Sequence, residues 1–71
     1  MLKLIQVDAR GLACPQPIMM ARDIISENPQ EFEIIVDTGA PKTNVPRFIK
    51  RSGYKVELIE KEDEVTIIAR R

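Results

Sequence analysis

The chain has 71 residues, 44% apolar and 31% charged, the size and balance of one small globular domain spanning residues 1–71. Its 11 basic and 11 acidic residues cancel, so no global field steers it onto nucleic acid or an anionic membrane. With no histidine and one cysteine, it cannot form an internal disulfide, a Cys–His protease pair or a histidine-containing zinc site.

Residues 2–8, "LKLIQVD", read as a first strand, followed by a loop from Ala9 to Ala13. From Pro15 to about Glu27 the apolar residues take helical spacing, with Ile18, Ala21, Ile24 and Ile25 on one face, Met20 at its border, and Arg22, Asp23 and Ser26 opposite. Asn28-Pro29 ends this helix, because a residue before proline avoids helical geometry. "FEIIVD", residues 32–37, is a second strand with Phe32, Ile34 and Val36 on one side. A Thr38-Gly39-Ala40-Pro41 loop leads to a second helix marked by Val45, Phe48 and Ile49. Placing Pro46 in its first turn sets the start near residue 43, with Thr43 or Asn44 as N-cap and Gly53 as a left-handed C-terminal cap. The remainder is a hairpin: Tyr54, Val56 and Leu58 face inward from one strand, Val65, Ile67 and Ala69 from the other, around a turn at Glu62-Asp63.

The expected fold is a βαβαββ two-layer α/β sandwich, a four-stranded mixed sheet with both helices on one face, since both crossovers are right-handed. The open face should carry Ile35, Ile59 and Ile68, either as ordinary strand residues or as a partner surface. Met1-Leu-Lys leads straight into a strand pattern and no apolar run reaches membrane-spanning length, which predicts a cytoplasmic protein with no membrane partner.

The chemistry concentrates in "RGLACPQP", residues 10–17. Proline is tolerated in the first helical turn, where its missing N–H is not needed and its φ is already helical. Pro15 and Pro17 therefore fix the helix start and place Cys14 at the N-cap, where free amides and the positive end of the helix dipole stabilise a thiolate. Gly11 gives the loop freedom to turn, Arg10 offers local positive charge if it folds back, and Gln16 avoids the opposing charge a carboxylate would bring. The ordinary alternative is a buried, inert cysteine beside two helix-starting prolines. The loop glycine and the N-cap position favour an exposed nucleophile.

"VDARGLACPQPIMMARDII" resembles the signature of the TusA-type sulfur carriers, the SirA or YedF-like family, in which a C-P-x-P motif opens the first helix. The likeness rests on Asp8, Gly11, Cys14, Pro15 and Pro17, on the later "NVPRF" and "GYKV", and spans nearly the whole chain. It implies a fold like the C-terminal domain of bacterial translation initiation factor three. It also implies a relay, rather than a self-sufficient enzyme, in which Cys14 accepts sulfur as a persulfide from a cysteine desulfurase and gives it to an acceptor protein. The pathways so implied are tRNA thiolation or other sulfur or selenium metabolism. Gln16 stands where tRNA-thiolation members tend to have Glu, and "GLACPQP" is closer to the N-terminal domain of YedF-like proteins of selenium metabolism. Those carry a DsrE-like second domain that these 71 residues lack, so a DsrE-like protein is one candidate acceptor.

The remaining candidates are surfaces. Lys42, Arg47, Lys50 and Arg51 make the second helix basic, either as a solvated face or as a dock for an acidic partner. With Phe32, Phe48 and Tyr54 the only aromatics, sequence-specific nucleic-acid binding is not expected. Met19 lies on the side of Arg22 and Ser26, where it could line a contact surface. No carboxylate cluster suggests a metal, no phosphate-binding loop appears, and no cofactor is expected. "DTGA", residues 37–40, matches an aspartic-protease signature, but that fold is all-β and this chain carries two helices. The alternative to the carrier is a non-catalytic interaction or regulatory module using the open sheet face and the basic helix.

Overall fold

The computed structural model describes residues 5–12 and 16–71. The elements are β1 (Ile5–Asp8), α1 (Gln16–Ser26), β2 (Glu31–Asp37), α2 (Ala40–Arg51), β3 (Lys55–Glu60) and β4 (Glu64–Arg70). The sheet order is β1-β2-β4-β3, with β1 and β2 parallel and the β2–β4 and β3–β4 pairs antiparallel. It is the expected four-stranded mixed sheet with two helices. Residues 2–4 of the predicted first strand lie outside the described residues.

Strand alternation builds the core. Phe32, Ile34 and Val36 of β2 and Val65, Ile67 and Ala69 of β4 are fully buried, and Ile5, Val7 and Val56 of the outer strands are packed against them. Ala21 and Ile24 of α1 and Val45 and Ile49 of α2 belong to the same cluster, so both helices cover this one face. The ends of the elements are tied down locally. Asn28 closes α1 in the left-handed region at φ 59°, a geometry asparagine tolerates and one open to a residue that proline bars from the helix. After α2, the Gly53 amide donates to Lys50 O at 3.0 Å and the Tyr54 amide to Ile49 O at 3.4 Å, with Gly53 at φ 100°. This is a Schellman cap, at the glycine the sequence picks out.

Two expectations need correction. α2 starts at Ala40, not near residue 43, and its N-cap is Gly39 at φ 114° with no capping side chain, rather than Thr43 or Asn44. The proline of the first turn is Pro41. Pro46 lies inside the helix, where it deletes one backbone hydrogen bond, to the Lys42 carbonyl, and is itself buried. Burial of Pro46 and of the neighbouring Val45 compensates for the lost bond, so tertiary packing overrides the local rule. Leu58, expected inward, is 40% exposed because β3 is an edge strand with a neighbour on one side only.

On the open face, the register sets Asp8, Ile35, Thr66 and Ile59 in one row and Gln6, Glu33, Ile68 and Glu57 in the next. The three isoleucines are thus interleaved with charged and polar groups instead of forming one apolar patch.

Candidate functional site

The site is the exit of β1, the loop after it, and the first turn of α1. The first three backbone amides after β1 each have a partner. Ala9 N–H donates to Ile35 O at 2.8 Å, extending the β1–β2 ladder by one residue. Arg10 N–H donates to Asp8 Oδ1 at 3.0 Å. Gly11 N–H donates to Asp37 Oδ2 at 2.7 Å, with Gly11 at φ 78° in the left-handed region. A side chain there would be strained by the backbone alone, since the space around its missing Cβ is open. Leu12 then packs against the core. Cys14 and Pro15, the predicted sulfur site and helix opener, lie outside the described residues, as does Ala13.

α1 opens with exposed Gln16, and Pro17 is fully buried in its first turn. No acidic residue occupies that turn, so nothing there opposes an anion at the helix start. An open groove of about 300 Å³ runs along this end of α1, lined by Leu12, Gln16, Met19, Met20 and Asp23. Met19 is 48% exposed, on the solvent side that the helical spacing predicts.

Arg10 is held by two acidic side chains. Its guanidinium grips Asp8 with two bonds, Nε to Oδ1 at 2.9 Å and Nη2 to Oδ2 at 2.8 Å, and reaches Glu64 Oε1 from Nη1 at 2.8 Å. Its one positive charge is therefore shared between two carboxylates. The Arg10 side-chain hydrogen bonds, and then its backbone N–H, hold the Asp8 carboxyl at about 2 against an ordinary 3.8. Asp8 in turn pushes the Arg10 pKa up. Because the Asp8 pKa is depressed on folding, the pair stabilises the fold fully above about pH 3.8, and that contribution is lost as pH falls through about 2. Urea titrations of wild type and Arg10→Gln should therefore differ at neutral pH and converge near pH 2; a gap that persists undiminished at pH 2 would rule the pair out as its source.

Of the cations on α2, Lys42 forms a salt bridge with Glu60 of β3, while Arg47, Lys50 and Arg51 are exposed and have no ion pair among the described residues. Lys50 and Arg51 also complement the C-terminal dipole of their own helix, which is reason enough for part of this charge. Gln16 and Met19 both line the groove, and none of the α2 cations is among its lining residues.

Asp37 and Glu64 are the residues that sequence reasoning missed. The protease-like "DTGA" drew notice to Asp37 for another chemistry, although its place at the end of β2, beside the exit of the parallel β1, puts it next to the loop. Among the described residues no cluster of three or more potential ligands could hold a metal ion, and no helix is long and apolar enough to cross a membrane.

Comparisons with known proteins agree on one group. The family described as "Sulfurtransferase TusA" matches residues 5–71. A protein of Archaeoglobus fulgidus named "Putative sulfur carrier protein" is 33% identical over 61 residues, covering 83% of this chain and 79% of its own length. The crystal structure of a SirA-like protein from Desulfitobacterium hafniense superposes with a TM-score of 0.76 at 30% identity, covering 94% of this chain and 99% of that one. The two-helix, four-stranded fold and a match running from β1 to the last residue lead to one assignment: the chain belongs to the TusA sulfurtransferase family.

Proposed function

We propose that this protein is a cytoplasmic sulfur carrier that holds sulfur as a persulfide on Cys14, taking it from a cysteine desulfurase and passing it to an acceptor protein. One observation carries the reading: Asp8-x-x-Gly11-x-x-Cys14-Pro15-x-Pro17 stands in a chain matched to the TusA family over residues 5–71, and Cys14 is its only thiol. The Cys14 thiolate attacks the outer sulfur of the donor persulfide, forming a new S–S bond as the donor thiolate leaves. An acceptor thiolate then attacks that outer sulfur, and the Cys14 thiolate is the leaving group. Each step exchanges one S–S bond for another, so no external oxidant or reductant is consumed.

The composition suits carriage. With no second cysteine to resolve the persulfide into a disulfide, and no histidine to act as a base, the load waits for a partner. Gly11, Pro15 and Pro17 shape the setting of the thiol, and Gln16 keeps negative charge from the helix start. Partner recognition falls to the groove with Gln16 and Met19, and to the exposed Arg47, Lys50 and Arg51, which suit an acidic surface. Lys42 lies on the same helix, with its ammonium also paired to Glu60. Feeding cysteine labelled in its sulfur to a desulfurase should transfer reductant-labile label to the wild-type chain and none to Cys14→Ser; label retained by the serine variant would contradict the assignment.

A further inference from the structure

Asp37 and Glu64 sit directly opposite each other in the β2–β4 register. Two carboxylates at opposed positions on one face of an antiparallel pair repel, so neither strand gains from this arrangement by itself. Both acids are instead used by the same short segment of another strand's exit. Glu64 accepts from the Arg10 guanidinium at 2.8 Å, and Asp37 accepts from the Gly11 amide at 2.7 Å. Arg10 and Gly11 are adjacent in the chain, and Cys14 follows three residues after Gly11.

We propose that Asp37 is the positioning residue of the sulfur site: with Glu64 it forms a two-point anchor that fixes where the loop bearing Cys14 leaves the sheet. The two contacts divide the work. The Arg10–Glu64 pair is made through a long side chain and tolerates movement. The Asp37 bond is made to the backbone itself, at a left-handed glycine of the loop, and so fixes the direction of the chain there. It is also a charge-assisted hydrogen bond, stronger than one to a neutral acceptor. A persulfide handed between proteins has to meet the attacking thiolate in line and at a fixed height above the carrier surface, so a slack loop slows loading and delivery alike.

This role rests on the carrier reading for its effect on sulfur transfer, but not for the anchoring. Asp37→Ala and Asp37→Asn remove the same charge, and only asparagine keeps a side-chain oxygen able to accept from Gly11 N–H. Their difference therefore reports the hydrogen bond. Three quantities are read on each variant: hydrogen exchange at the Gly11 amide, the pH profile of Cys14 alkylation by iodoacetamide, and the rate of sulfur loading from a cysteine desulfurase. In Asp37→Ala, Gly11 exchange should accelerate about tenfold or more, the alkylation profile should move to higher pH, and loading should slow about tenfold. Asp37→Asn should restore most of all three. Alanine and asparagine variants that behave alike, or a faster Gly11 exchange with unchanged alkylation and loading, overturn the proposal. If the wild-type chain takes up no sulfur, the carrier reading falls, while exchange and alkylation still decide the anchor.

Discussion

Phe32→Ala should bring the protein to the edge of unfolding. Phe32 is fully buried in β2, set between Ile5 of β1 and Ala69 of β4, and its ring meets Tyr54 edge-to-face at 5.3 Å and 75°. Truncating a buried phenylalanine costs about 3–5 kcal/mol, from lost transfer energy and the cavity left behind. A chain of 71 residues, at roughly 0.05–0.15 kcal/mol per residue, holds on the order of 4–10 kcal/mol in all. The Tyr54 ring also loses its partner, while its hydroxyl still donates to Pro29 O and Arg71 still lies 5.1 Å over its face. Thermal unfolding should show a fall in Tm of roughly 15 °C or more. Ile59→Ala, at a 45% exposed position on the edge strand, should cost under about 1 kcal/mol. Equal losses for the two would contradict the assignment of the buried face.

The second large effect is on partner recognition. Replacing Arg47, Lys50 and Arg51 together by glutamine should slow sulfur loading from the donor by about tenfold or more at low ionic strength, because charge complementarity acts mainly on the rate of encounter. Glutamine is nearly as good a helix former, so the variant should keep its helical spectrum. The wild-type rate should fall steeply with added salt as the exposed charges are screened, and the variant's should not. A wild-type rate indifferent to salt and matched by the variant would assign these cations to solvation alone.

Much of the fold was legible in the residues, because alternation in β2 and β4 and the three- and four-residue spacings in α1 mark burial directly. Phe32, Ile34, Val36, Val65, Ile67, Ala69, Ala21 and Ile24 all face inward as their patterns require. The error at α2 came from treating Pro46 as a local rule. It sits mid-helix because buried packing outweighs one missing hydrogen bond, while Pro41 takes the first-turn place. Leu58 misled because alternation gives a residue's side of the sheet but not whether anything covers it. Around the site, the turn at Gly11 and the place of Pro17 in the first turn of α1 follow from local chemistry. The partners of the loop do not, since Arg10 finds Glu64 across 54 positions and Gly11 finds Asp37 across 26. The β1–β2 and β2–β4 pairings together bring those acids near, and which of them takes the Gly11 amide and which the Arg10 guanidinium is a matter of side-chain geometry.

The most direct test of the carrier assignment is the intact mass of the full chain after incubation with a cysteine desulfurase and cysteine, followed by removal of the donor. With a single cysteine in the chain, any added sulfur can be assigned without digestion. The predicted result is a gain of one sulfur atom, reversed by reductant and absent from Cys14→Ser. An unchanged mass with active desulfurase and a Cys14 thiol shown to react with iodoacetamide would contradict it.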